Sequence, residues 1–253
     1  MEIALFSSAW LVFSLSPSLA PLVLRGGLAA CLRFSPRAAL ALSSVAALLG
    51  CLGALAGRGG LHIVPPGQRL PVVIAGITGG TSGRMLLLMF VARFSGSLEL
   101  ARTQALPLLA LTLAALLPGS LQHVPLPRTR IGLYLFSLLC AFVGGYFGCG
   151  ALTVFGLAAN SGVHRRTDAQ ASAALLLALT SHASALLLTL LSGGAQVFPR
   201  RMILALSSGA LFGGWRFEKS KKRGEVRRGL RTALEVYALL AALSGVEQAF
   251  FAV

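Results

Sequence analysis

Charge is scarce in this chain, and negative charge scarcest of all. Only 11% of its 253 residues are charged, and Asp and Glu number 7 against 22 Lys and Arg. Soluble domains average about 25% charged residues, so a fold of this size covered by water is excluded. The four cysteines, Cys31, Cys51, Cys140 and Cys149, form no Cys-x-x-Cys pair. That excludes a disulfide scaffold and a thiolate metal site, and leaves them as small residues within apolar stretches. The 29 glycines follow no three-residue period, which excludes a collagen-like chain. A Walker A sequence, a G-x-S-x-G elbow and an H-E-x-x-H pair are all absent. ATP hydrolysis and the familiar hydrolase and metalloprotease chemistries therefore have no anchor, despite His123, His164 and His182. No enzyme, metal or cofactor is expected.

What the chain has is apolar length. Hydrophobic residues make up 56%, and mean hydropathy is +0.81. Intrinsic disorder is incompatible with so much to bury, and an all-α integral membrane protein is expected. The net charge of +15 does not imply nucleic acid: 8 of the basic residues fall between Arg216 and Arg231 and most others in short loops, a pattern that sets membrane orientation. The partner expected for this surface is the lipid bilayer. A span needs about 20 apolar residues. Eight stretches qualify, Ile3–Leu24, Ala38–Ala56, Leu70–Phe90, Ala105–Leu121, Ile131–Ala159, Ala169–Leu191, Met202–Phe217 and Thr232–Val253. The first has no basic residues ahead of it and is not expected to be a cleaved leader.

Two stretches carry a break. Ile131–Ala159 is too long for one straight span, and its middle reads Gly144-Gly145-Tyr146-Phe147-Gly148-Cys149-Gly150. Each helical glycine costs about 1 kcal/mol relative to Ala, so a broken helix or re-entrant turn is expected here. Pro17 and Pro21 interrupt the first stretch, because proline lacks an amide donor and clashes with the preceding turn. Within lipid such breaks survive only where protein or a wet cavity satisfies the backbone.

The breaks occupy matching places in two halves, 1–125 and 126–253. The first half runs through Ser35-Pro36-Arg37-Ala38-Ala39, a span with Ser43-Ser44, Gly59-Gly60, and a helix with Gly76, Gly79-Gly80 and Gly83. The second runs through Arg165-Arg166-Thr167-Asp168-Ala169, a span with Thr180-Ser181, Gly193-Gly194, and a helix with Gly209 and Gly213-Gly214. An offset of 130 relates Gly79 to Gly209 and Gly83 to Gly213. This reads as an internal duplication. If all eight stretches cross, the odd-numbered loops hold most Lys and Arg, which places them in the cytoplasm and both termini outside. Four-span repeats would then lie parallel, whereas one re-entrant break per half changes the parity.

The second break, Gly145-Tyr146-Phe147-Gly148-Cys149-Gly150-Ala151-Leu152-Thr153, resembles the G-x-F-G-x-G-x-x-T form of the sulfite exporter (TauE/SafE-like) family, also called the toluene sulfonate uptake family. Ala169 to Ser184 is similar to that family's next span, with Ser181 on the family's serine and His182 where many relatives carry Asn. The first half matches from Ser35 to Gly83, but it offers Pro17 to Pro21 in place of a glycine cluster. The resemblance implies a small bacterial inner-membrane protein of two homologous halves that moves a small sulfur-containing or organic anion.

The residues can be weighed against that expectation. An anion leaving water needs donors, and a helix broken at membrane depth exposes backbone N–H groups that glycines let a ligand approach. Gly145, Gly148, Cys149, Gly150 and Thr153 form the candidate cradle, with a small-residue packing surface as the alternative. Ser181 and His182 are polar groups in an apolar span, either ligands or interhelical hydrogen bonds. Ser43 and Ser44 are their first-half counterparts. Arg84 is a candidate fixed cation, or else a helix-end residue snorkelling to the interface. The Gly79/Gly83 and Gly209/Gly213 pairs suit helix packing, and Glu235 suits an ion pair with Arg231. A monovalent anion leaving a cell at about 100 mV, inside negative, gains about 2.3 kcal/mol, so export needs no coupled ion. The functional expectation is a secondary transporter or facilitator for a small anion; the alternative is a structural or assembly membrane protein.

Overall fold

The computed structural model describes residues 1–30, 34–59, 66–93, 97–116, 129–149, 168–192, 198–219 and 224–250. Every regular element among them is an α-helix: α1 (Glu2–Leu15), α2 (Ala20–Ala30), α3 (Pro36–Gly57), α4 (Pro66–Arg93), α5 (Ser97–Leu116), α6 (Arg130–Phe147), α7 (Asp168–Leu191), α8 (Arg200–Lys219) and α9 (Gly224–Phe250). Four contain runs long and apolar enough to cross a membrane, Arg37–Gly57, Arg69–Arg93, Ala171–Leu191 and Thr232–Phe250. The described residues are thus all-helical and compatible with a helical membrane protein, and each of the eight apolar stretches contributes helix.

The first stretch is broken where its prolines predict. α1 stops at Leu15, and Ser16 adopts extended backbone. The Ser16 carbonyl then accepts from Leu19 N (3.2 Å) and Ala20 N (2.9 Å), which starts α2. Pro21 falls in the first turn of α2, where an amide donor has no intrahelical partner to lose. The second break differs from expectation in position. Gly144 and Gly145 remain helical, and α6 ends only at Phe147, capped by Gly148 in the left-handed region (φ +68°). Packing outweighs glycine's intrinsic cost here: Gly145 lies directly against the Gly80 backbone, where no side chain fits.

Small residues also reveal the helix directions. A Cβ placed on Gly209 would strike the Phe6 carbonyl, and one on Gly213 the Trp10 carbonyl. One turn along α8 therefore matches one turn along α1, so the two run the same way. Gly53 and Gly57 meet the Leu211 and Trp215 carbonyls likewise, which aligns α3 with α8. On the other side, Gly79 and Gly83 meet the Leu138 and Phe142 carbonyls of α6, while Gly76 and Gly80 meet Thr180 and Ser184 of α7. Hence α4, α6 and α7 share a direction. It opposes that of α3, because Leu40 clusters with Leu87, Ser44 with Arg84, and Leu55 with Val72. Each trio is close-packed through small-residue contacts of the kind that bind helices in membranes. Two cores result, one around α1, α2 and α8, the other between α3, α4, α6 and α7. The α5–α9 pair lies alongside, held largely by α2, with Arg102 Nε donating to the Ala249 carbonyl at 2.8 Å.

These directions correct the loop alternation expected for eight full crossings. α1 and α3 start at the same end of the bundle, so the chain returns through α2; Phe34 N donates to Leu28 O (3.1 Å) where it arrives. The physical reason is length: 14 residues of helix span about 21 Å, short of the roughly 30 Å hydrocarbon core. Positions related by the 130-residue offset consequently lie on helices of opposite direction, α1 with α6, α3 with α7, and α4 with α8.

In a protein lacking its native cysteines, single cysteines at Glu2, Ser35 and Ser192 are expected to react with an impermeant maleimide from one side of the membrane, and cysteines at Gly59 and Thr129 from the other. Labelling of Glu2 and Ser35 from opposite sides would show that α1 crosses alone.

Candidate functional site

The break after α6 sits at the centre of the molecule. An α-helix leaves its last carbonyls without intrahelical partners; here one buried arginine reaches them and a second lies nearby. Arg25, on α2, donates through Nη1 to the Phe147 carbonyl and through Nη2 to Oε1 of Gln104 on α5. Arg84, on α4, donates through Nη2 to Ser44 Oγ at 3.1 Å, and Ser44 lies 3.5 Å from the Gly148 carbonyl. The arginines are 7% and 2% exposed, so both cations are inside the protein. They lie within electrostatic reach of each other and of Cys149. No described carboxylate bonds to either.

The candidates separate into three groups. Ser44, Arg84, Gly148 and Cys149 come together. Gly148 permits the cap geometry, since φ is positive and a Cβ would fall 2.6 Å from Ser44 Oγ. Cys149 is fully buried, its Sγ 3.5 Å from the Phe147 carbonyl. His182 stands beside them: buried, within electrostatic reach of Arg84, its Nδ1 lacking a partner. The Arg84 Nε also lacks one.

Three candidates serve packing instead. Ser43 Oγ returns to the Leu40 carbonyl of its own helix at 3.0 Å. Ser181 Oγ donates to the Ala141 carbonyl at 2.8 Å, tying α7 to α6. Gly145 is the close contact with Gly80 already described. Gly150 and Thr153 lie outside the described residues, as do His123 and His164.

One expectation needs revision. The described half of the break presents carbonyls, because α6 arrives with its C-terminus; the positive charge comes from guanidinium groups. Arg84 is also well inside α4, nine residues before Arg93, and does not snorkel. Arg25 and Gln104 were not among the candidates. Arg25 closes an apolar stretch and so resembles a loop charge. Its signal is Pro17: once the chain doubles back there, residues eight positions later remain at membrane depth.

Beside Arg25 and Gln104 a cavity of about 270 Å³ opens between α2, α5 and α9. Its walls are mainly Ala, Leu and Gly, and its polar residues are Arg25, Gln104, Thr112 and Gln248. The chain matches no family model, no curated protein and no solved structure.

Removing a buried hydroxyl that bridges charged and backbone partners costs about 1–3 kcal/mol. Ser44→Ala is thus expected to lower thermal stability in detergent measurably. Ser43→Ala, which deletes a bond within one helix, is expected to change it by less than about 0.5 kcal/mol. Equal effects would place Ser44 outside the network.

Proposed function

We propose that this protein is a secondary transporter or facilitator that exports a small sulfur-containing or organic anion across the bacterial inner membrane, through eight apolar segments of which the first and fifth are re-entrant. The observation that carries the reading is the pair of buried arginines at the broken end of α6, Arg25 bonded to its Phe147 carbonyl and Arg84 to Ser44 beside it, with no described carboxylate bonded to either. Burying a charge costs several kcal/mol per ion even after relaxation. Carbonyl and amide dipoles offset part of that cost, and an anion supplies the rest. Intramembrane cations of this kind mark ligand pathways.

The helix directions add support. Halves of opposite orientation meeting at interrupted helices near mid-depth form a recurrent transporter plan. The resemblance of Gly145 to Thr153 to the sulfite exporter family points the same way and suggests sulfite-like species as cargo. Orientation follows from charge. The connections between α3 and α4, α5 and α6, and α8 and α9, with their flanking helix ends, hold most basic residues, including the eight from Arg216 to Arg231. We place this end in the cytoplasm, which leaves the start of α1 and the end of α9 outside. The basic cluster meets anionic headgroups there. No energy source is needed for export of a monovalent anion, since the membrane potential favours it by about 2.3 kcal/mol per 100 mV.

Flux of radiolabelled sulfite, thiosulfate or a small sulfonate into proteoliposomes tests this. Saturable flux is expected, with Arg84→Gln and Arg25→Gln each reducing it by about tenfold or more, equivalent to at least about 1.4 kcal/mol, at unchanged membrane insertion. His182→Ala is expected to reduce it as well. Absence of saturable flux for every small anion would favour a structural or assembly role.

A further inference from the structure

Gln104 makes an unusual bond for a membrane-depth side chain. Its amide oxygen accepts from Arg25, and its Nε2 lies 3.5 Å from the Tyr146 carbonyl. It is 1% exposed and lines the same cavity as Arg25. The other polar groups on that wall already have partners: Thr112 Oγ1 donates to Leu108 O at 2.7 Å, and Gln248 Nε2 to Ser244 Oγ at 3.4 Å. Within the cavity lining, Arg25 is the only cation, and the Gln104 oxygen sits on it.

We infer that Gln104 is a displaceable internal ligand, and that the cavity between α2, α5 and α9 is the vestibule from which a small oxyanion takes its place on Arg25. This rests on the anion-transport reading and assigns it an entry site. The chemistry favours the exchange. An ionised oxygen adds a charge–charge attraction to the guanidinium that a neutral amide oxygen lacks, so an oxyanion outcompetes an amide oxygen. The displaced amide is not stranded: it keeps Tyr146 O as an acceptor for its N–H and can offer its second N–H to the incoming anion. The vestibule is large enough for a small oxyanion and several waters of about 30 Å³ each. The occupant must present oxygen acceptors to replace the amide oxygen, as carboxylates, sulfonates and sulfur oxyanions do. The exchange at Arg25 also breaks the side-chain hydrogen bond that ties α2 to α5.

Two substitutions at one position separate the outcomes. Gln104→Glu places a permanent carboxylate on Arg25, an intramolecular substitute for the cargo. It is expected to raise KM for sulfite about tenfold or more, to raise the melting temperature in anion-free buffer, and to abolish any further stabilisation by sodium sulfite. Gln104→Ala removes the competitor and is expected to lower KM. If wild-type flux is saturable and both variants keep the wild-type KM, Gln104 is no internal ligand and this inference fails alone. If no variant transports, yet sulfite stabilises the wild type and not Gln104→Glu, the binding site stands and the transport reading fails. Absence of both flux and stabilisation overturns both. Should Gln104→Glu fail to fold, Gln104→Ala and Gln104→Met carry the KM comparison.

Discussion

Two guanidinium groups inside a helical bundle with no described carboxylate to pair them set the terms for the rest of this protein. A buried charge must be met by something, and here it is met by the end of a helix. α6 stops at Phe147 because Gly148 turns left-handed; the Phe147 carbonyl accepts from Arg25, and Ser44, which accepts from Arg84, lies 3.5 Å from the Gly148 carbonyl. The negative end of the helix dipole reinforces these bonds. Break and arginine therefore require each other: an unbroken α6 would take the Phe147 carbonyl from Arg25, and an apolar residue in place of Arg25 would strand that carbonyl.

Bringing α2, α3 and α4 close enough to deliver those side chains depends on backbone contact. Gly79, Gly80 and Gly83 admit α6 and α7 to van der Waals range of α4, as Gly209 and Gly213 admit α1 to α8. Membrane interiors offer no hydrophobic gain for helix association, so close packing of small residues carries it. The site is thus a product of the glycine pattern as much as of the arginines.

Much of this architecture was legible in the sequence. Apolar run lengths located all eight helical stretches, Pro17 located the first break, and Gly148 and Cys149 marked the second. Loop parity misled, because it treats every apolar stretch as a crossing, and 14 residues of α1 cannot make one. The same assumption hid Arg25, which a full crossing would have placed outside the bilayer. Gln104 was hidden for a different reason. A single polar residue seven positions from a helix start carries no periodic signal, and only the fold brings it across to α2. Ser43 and Ser44 are adjacent in sequence and chemically alike, so pattern could not rank them; both hydroxyls donate to the Leu40 carbonyl, and the 100° step between neighbours on a helix brings Ser44, not Ser43, within reach of Arg84.

The position that pairs with Arg84 under the 130-residue offset is Gly214, pressed against the Gly50 carbonyl of α3. No side chain can grow there without parting α8 from α3. Whatever symmetry relates the halves in shape is therefore denied to them in charge. One half lends both cations and the other lends the broken helix that receives them, so a molecule built from two copies of either half would hold its outline and possess no centre.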